Sequence, residues 1–285
     1  MLSREQNELL TRTDRGTPCG EMMRRYWQPV ALSEDVDNQG GAVPVRVMGE
    51  DMACLRDEDG LPALLGICSP RTAYPCQERA GMVFAYLGPG DPPLLPDYDF
   101  LSWRDDHCLT LKIFQDCNFL QAHEGNMDQV HLSFLHRLSE RAAGGTLMNE
   151  SAKGTSRSAA SLLAADVAPR IETELTDFGM RELVLRQTPD GSYLKVENAV
   201  LPAFAAVPGA TQGKDGYLVN WHVPIDDTSH WKYMTTSGAA VRWTRPPCGK
   251  RSWAIASSWP AAGSPGTEPT AICRTGASWQ TRSPA

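Results

Sequence analysis

A break in composition at Thr235 sets the outer limit of any fold this sequence can build. From residue 235 to 285 there is no Leu, Phe, Tyr, Met, Asp, Asn or His. Four of the eight tryptophans (Trp243, Trp253, Trp259 and Trp279) are instead scattered among Ser, Ala, Gly, Pro and Arg. A core needs contiguous aliphatic surface, and a stretch rich in tryptophan but free of leucine is neither ordinary globular nor ordinary linker composition. It is the composition of a GC-rich coding sequence read out of frame. The tail carries six basic residues against Glu268 alone, a balance of +5, whereas the preceding 234 residues carry 21 basic and 33 acidic side chains. A basic stripe with aromatics is also the signature of nucleic-acid contact. The overall charge of −7 and pI near 5.4 argue against nucleic acid or an anionic membrane surface as the main partner. We therefore expect residues 235–285 to be an aberrant, disordered tail and the folded mass to lie before it.

Within the first 234 residues the apolar pattern alternates between the periods of helices and strands. Ser3-Arg4-Glu5-Gln6 is a capping-box start for a short helix ending before Gly16, and 20–26 reads as a second helix stopped by Pro29. Segments 43–48, 52–56, 61–65 and 82–87 read as short strands, with the Asp57-Glu58-Asp59-Gly60 turn between the middle two. Gly88-Pro89-Gly90-Asp91-Pro92-Pro93, with Leu94-Leu95-Pro96 after it, is a linker. Beyond a strand near 108–114 comes a helical pattern, then a Ser/Ala/Gly-rich stretch (137–163) that reads as a long loop. Strands follow at 170–176, 181–186, 193–200 and 217–223, and a last one at 230–234 is cut short. The polar amino-terminal stretch and the lack of a long apolar run predict neither signal peptide nor bilayer span. Eight cysteines in no paired framework suit a reducing cytoplasm.

The chemistry is concentrated in the segment from Glu124 to His136. Met127, Val130, Phe134 and Leu135 recur near the helical period, and the segment places His131 and His136 five residues apart, with Asp128 three before the first. Two imidazoles from one helix suit iron, zinc or copper. A regular helix sets positions five apart about 140° round its axis, so joint ligation requires a π-like turn, a distortion often found at functional sites. Spacing alone leaves a second reading open, in which one histidine is a surface group and the other a core group.

Residues 115–136, Gln115-Asp116-Cys117-Asn118-Phe119-Leu120-Gln121-Ala122-His123-Glu124-Gly125-Asn126-Met127-Asp128 and onward to His136, resemble the mononuclear-iron segment of Rieske-type aromatic-ring-hydroxylating oxygenases. The likeness is to α subunits of the phthalate dioxygenase type. The amino terminus (Met1 to Arg12 with Gly16-Thr17-Pro18), Arg25-Tyr26-Trp27-Gln28-Pro29-Val30, Ala73-Tyr74-Pro75-Cys76-Gln77-Glu78-Arg79, Val83 to Pro89 and Val223-Pro224-Ile225-Asp226-Asp227-Thr228 are similar to the same family in the same order. The resemblance implies an α+β chain. A small all-β Rieske-like domain remnant (1–98) precedes a truncated helix-grip, START-like antiparallel-sheet catalytic domain (99–234).

It also implies a mononuclear Fe(II) held by His131 and His136, with Asp128 linking a histidine ligand to a neighbouring subunit's [2Fe–2S] centre. Family partners are an aromatic, carboxylate-like substrate, a reductase and two further copies in a homotrimer, with no nucleic acid and no membrane. A Rieske centre takes two Cys and two His, yet the first histidine here is His107 and no Cys-x-His or Cys-x-x-His occurs. Leu65-Gly66-Ile67-Cys68-Ser69-Pro70 approaches the first cluster motif and then passes at Arg71 to a segment that follows the second. We read this junction as an in-frame loss, with Cys68 the relic of a cluster ligand and the [2Fe–2S] centre absent. The family's third iron ligand, a downstream Asp, has no counterpart, since the last Asp is Asp227. The expectation is an oxygenase α subunit by ancestry that is inactive with this sequence. The alternatives are a non-catalytic helix-grip binding remnant and an unstable product of a damaged gene. His123 is expected at the surface, Glu124 in a structural role, and His222 and His230 as packing or surface groups.

Overall fold

The computed structural model describes residues 2–37, 41–67, 72–104, 107–136, 159–208 and 216–237. All but the first three residues of the expected tail lie outside these residues, as do most of the predicted loop after His136 and Cys68 itself.

Two short helices open the chain. In α1 (Arg4–Thr11) the Ser3 side chain accepts from the Gln6 N–H while the Gln6 side chain accepts from the Ser3 N–H, the reciprocal capping box read from sequence. In α2 (Pro18–Arg24) Thr17 is the N-cap and Pro18 occupies the first turn, where its missing N–H costs nothing. Strand β1 (Gln28–Leu32) leads through α3 (Ser33–Asp37) into a meander of β2 (Val43–Val47), β3 (Glu50–Arg56), β4 (Pro62–Gly66) and β5 (Ala73–Tyr74). These four pair in sequence order, and β1 forms a second sheet with β7 (Met82–Ala85) and β6 (Cys76–Arg79), in the order β1-β7-β6. At the junction read as a loss, β4 and β5 pair directly, with Leu64 opposite Tyr74 and Leu65 opposite Ala73. The Gly66 N–H donates to the Thr72 carbonyl at 3.0 Å.

After α4 (Asp99–Ser102) comes a seven-stranded antiparallel sheet. It is built from β8 (Cys108–Gln115), β9 (Arg170–Thr176), β10 (Gly179–Thr188), β11 (Gly191–Val200), β12 (Phe204–Pro208), β13 (Tyr217–Pro224) and β14 (His230–Ser237), in the order β8-β14-β13-β12-β11-β10-β9. Helices α5 (Phe119–Met127) and α6 (Ala159–Ala165) accompany it. Helix α6 corrects the single-loop reading of 137–163: its Ala-Ala-Ser-Leu-Leu-Ala-Ala run is a good helix former once Leu162 and Leu163 are buried. The last strand runs to Ser237, past residue 234. Thr235 is buried there, its hydroxyl 3.0 Å from that of Thr110.

Strand alternation gives the large sheet two faces. On one, Trp221 and Tyr233 are buried against the amino-terminal sheets, where the Phe84 ring lies 5.5 Å from Trp221. Both tight hairpin turns of the amino-terminal region dock here. Met48-Gly49, joining β2 to β3, has both residues at positive φ, as a type I′ turn demands. Its two N–H groups donate to the Pro224 and Ile225 carbonyls at 2.9 Å. Ala80-Gly81 repeats the geometry between β6 and β7, and the Ala80 carbonyl accepts from the Thr110 hydroxyl. One continuous hydrophobic core therefore runs from Met23 through Phe84 to Trp221 and Tyr233. The other face of the sheet carries Asn220, His222 and His230 and meets α5.

Candidate functional site

The helical pattern from Glu124 to His136 does not form one helix. Asn118 caps the start of α5: its side-chain oxygen accepts from Leu120, and its amide donates to the carbonyls of Thr11 and Asp227. Asp128 ends α5, its N–H donating to the Glu124 carbonyl. Its Oδ1 then accepts the N–H groups of Val130 and His131 at 2.9 and 3.2 Å, which starts the next turn. Aspartate does this readily because its short side chain competes with the helix for backbone donors. Its Oδ2 lies 3.6 Å from His131 Nδ1. Leu132–His136 forms a π-helix, the turn that joint use of His131 and His136 requires. The His136 side chain lies outside the described residues.

Beneath this segment sits a buried polar platform that the sequence reading missed. Gln129 and Ser133 are each 1% exposed. Arg186 on β10 donates to the Gln129 carbonyl at 2.9 Å and to the Ser133 hydroxyl at 3.2 Å. The Gln129 amide meets Glu197, which also pairs with Lys195. Glu182 and Glu197 face each other across β10 and β11. Burial, and then the Glu197 charge, push the Glu182 carboxyl up to about 7. A signal was present in the sequence: Glu182 and Arg186 share one strand parity, and their register partners include Glu197. Placing charges on an inward face, however, requires knowing which face is inward.

Three of the six histidines converge elsewhere. His123 is not at the surface: its Nδ1 is buried without a partner and its ring centre is 6.0 Å from that of His222. His222 and His230 are 1% and 0% exposed and joined Nδ1 to Nε2 at 3.0 Å. His230 Nδ1 lies 2.9 Å from the Cys117 carbonyl, so it is the protonated nitrogen. His230 Nε2 therefore accepts from His222 Nδ1, and His222 Nε2 accepts from the Asn126 amide. Asn220 in turn donates to Asn126 at 3.1 Å. The chain of bonds ties both ends of α5 to the sheet with neutral imidazoles. Burial, followed by the charges of neighbouring groups, lowers His222 to about 2, and burial lowers His123 to about 4. Among the described residues, no group of three or more His, Cys, Asp or Glu side chains is placed to hold a metal ion. Glu124 is exposed and contributes its backbone carbonyl.

A protein-family profile described as LigXa C-terminal domain like matches residues 85–246. The chain is 29% identical over 297 residues to the phthalate 4,5-dioxygenase oxygenase subunit of Pseudomonas putida, covering 84% of this chain and 65% of the relative. It is 30% identical over 284 residues to the phenoxybenzoate dioxygenase α subunit of Ectopseudomonas oleovorans, covering 76% and 64% respectively. The chain thus spans slightly less than two thirds of the length of these relatives. Among solved structures, the oxygenase in the reduced oxygenase–ferredoxin complex of carbazole 1,9a-dioxygenase superposes with a TM-score of 0.54 at 20% identity, over 78% of this chain and 73% of that one. This last likeness speaks to the fold.

Proposed function

Since the chain belongs to the LigXa C-terminal-like family, whose members here are Rieske-type oxygenase α subunits of the phthalate dioxygenase kind, we propose that residues 99–234 form a mononuclear-iron grip domain. His131 and His136 are its metal ligands and Asp128 is a positioning residue. The π-helix at Leu132–His136 carries this reading, because it brings positions five apart onto one side of the chain. With Asp128 beside Nδ1 of His131, Nε2 is the ligating nitrogen, the arrangement in which a carboxylate fixes ring orientation and tautomer. The chemistry that a bound iron(II) supplies is O₂ activation beside an aromatic ring. The protein's part is to orient the imidazoles and present the substrate. An aromatic carboxylate is the favoured substrate class, in keeping with the names of both relatives.

The residues of the amino-terminal region do not fit a Rieske centre. No histidine precedes His107, and β4 returns directly into β5 where the cluster motifs would lie. Residues 1–98 are in this reading a Rieske-like remnant and Cys68 a relic ligand, and the aberrant tail begins after Ser237, where the last strand ends, rather than at Thr235. The chain by itself delivers no electrons to its iron and is inactive as an oxygenase unless a partner supplies them. A reductase or ferredoxin and a homotrimeric assembly are the family's partners. The free cysteines among the described residues suit a reducing cytoplasm. Anaerobic titration with Co(II), followed by its visible absorption, tests the ligand assignment. One ion per chain should bind, and H131A and H136A should each abolish the spectrum. Unchanged binding in either variant overturns the assignment.

A further inference from the structure

We propose that Arg186 is a positioning residue for the metal pair: its guanidinium holds the backbone turn that carries His131 and leads into the π-helix ending at His136. This inference rests on the reading of those histidines as ligands. It begins with a carbonyl. In a continuous α-helix the Gln129 carbonyl would accept from the Ser133 N–H. Here Ser133 donates to the Val130 carbonyl at 3.0 Å, so Gln129 loses its helical partner. An orphaned buried carbonyl is costly, and Arg186 Nη2 takes it at 2.9 Å. Nη1 reaches the Ser133 hydroxyl at 3.2 Å and also the carbonyl of Asp166, at the end of α6. The Arg186 residue is 2% exposed.

The positions gripped are those that matter for His131. Gln129 and Ser133 lie two residues to either side of it, and being four apart they share one face of the turn. His131, between them, is only partly buried, and its Nδ1 lies 3.6 Å from Asp128 Oδ2. Arg186 thus anchors the backbone on both sides of His131 through Gln129 and Ser133. The Gln129 amide, held by Glu197, locks the same face a second time. A π-helix of five residues has no stability of its own, because helix nucleation is unfavourable at that length. The anchor supplies what the segment lacks. The planar fork of arginine spans three acceptors in fixed directions, which a lysine ammonium does not reproduce.

The test uses the full chain, anaerobic Co(II) titration by visible absorption, and amide hydrogen exchange across residues 131–136. R186K should weaken Co(II) binding about 10- to 100-fold, the usual effect of removing a group that orients a ligand, and should speed exchange in that segment. V219A, a core deletion on the opposite face of the sheet, serves as a control. It should lower the melting temperature yet keep Co(II) affinity within about twofold, as expected for a distant independent site. Wild-type affinity in R186K, or an equal loss in V219A, overturns the positioning role. H131A separates the two failures. If H131A abolishes binding and R186K leaves it intact, only the anchor is wrong. If H131A binds as well as wild type, the ligand assignment falls and the anchor with it.

Discussion

The two halves of the molecule bury different things. The amino-terminal sheets enclose an almost wholly apolar core, with Met23, Val47, Met52, Leu64, Met82 and Phe84 each at most 1% exposed. Their main buried charge, Arg24, is satisfied by the Thr13 and Met48 carbonyls and by Glu50. The grip sheet instead buries Glu182, Arg186, Glu197, Asn220, His222 and His230. Burying polar and charged groups is unfavourable unless each is paired, and even then it adds little net stability. The seven-stranded sheet carries that burden next to the π-turn. In the amino-terminal half β4 and β5 pair antiparallel, and the buried groups are mostly apolar. One half buries polar groups joined by hydrogen bonds, whereas the other buries mainly apolar side chains.

The sharpest way to break this comparison is at the seam. Phe84→Ala should cost about 3–5 kcal/mol, the usual range for a buried aromatic. It should lower a single unfolding transition, because one core spans both halves. Two separate calorimetric transitions would mean that the halves do not depend on each other. Next in size is His222→Ala, which orphans Asn126 and His230. About 1–3 kcal/mol should be lost for a buried group left unpaired, measured as a lower urea midpoint with unchanged slope.

A third expectation concerns pH. The folded-state pKa of His222 is depressed to about 2 and that of His123 to about 4. Between these values and the unfolded value near 6.5, the unfolded chain binds protons that the folded chain does not. Stability is therefore present above pH 6.5 and is lost as pH falls. Between pH 7.5 and 5, His222 alone accounts for about 2 kcal/mol. Glu182 works the other way: its raised pKa gives the folded chain a proton between about 4.5 and 7, which adds stability as pH falls through that window. Two histidines outweigh one glutamate, so the melting temperature should drop from pH 7.5 to 5. H222A should flatten the profile; a profile rising toward pH 5 would contradict the buried-imidazole account. The smallest effect belongs to Ser3→Ala, which removes the cap of a helix that buries no residue. It should cost about 1 kcal/mol or less, read from the same urea curves.

Much of this architecture is legible in the sequence because it depends on local signals. The Ser3 capping box, the alternation in 43–47 and 170–176, and the need for a π-turn between His131 and His136 all follow from residues close to one another. The break at Asp128 was hidden because the apolar period continues through it, whereas the aspartate side chain takes the backbone donors that would have extended α5. Helix α6 was hidden by composition, since serine and alanine read equally as loop. The His123–His222–His230 bonds and the Arg186 anchor were out of reach for a different reason. Each joins residues far apart in the chain, and each depends on which face of a strand turns inward, which only the assembled sheet decides.

The measurement that tests the central claim most directly is the iron and acid-labile sulfide content of the full chain after anaerobic reconstitution with iron and sulfide. The account predicts one iron per chain, lost in H131A, with no stoichiometric sulfide and no visible absorption from a [2Fe–2S] centre. Two additional irons with matching sulfide, or no iron dependent on His131, would contradict it.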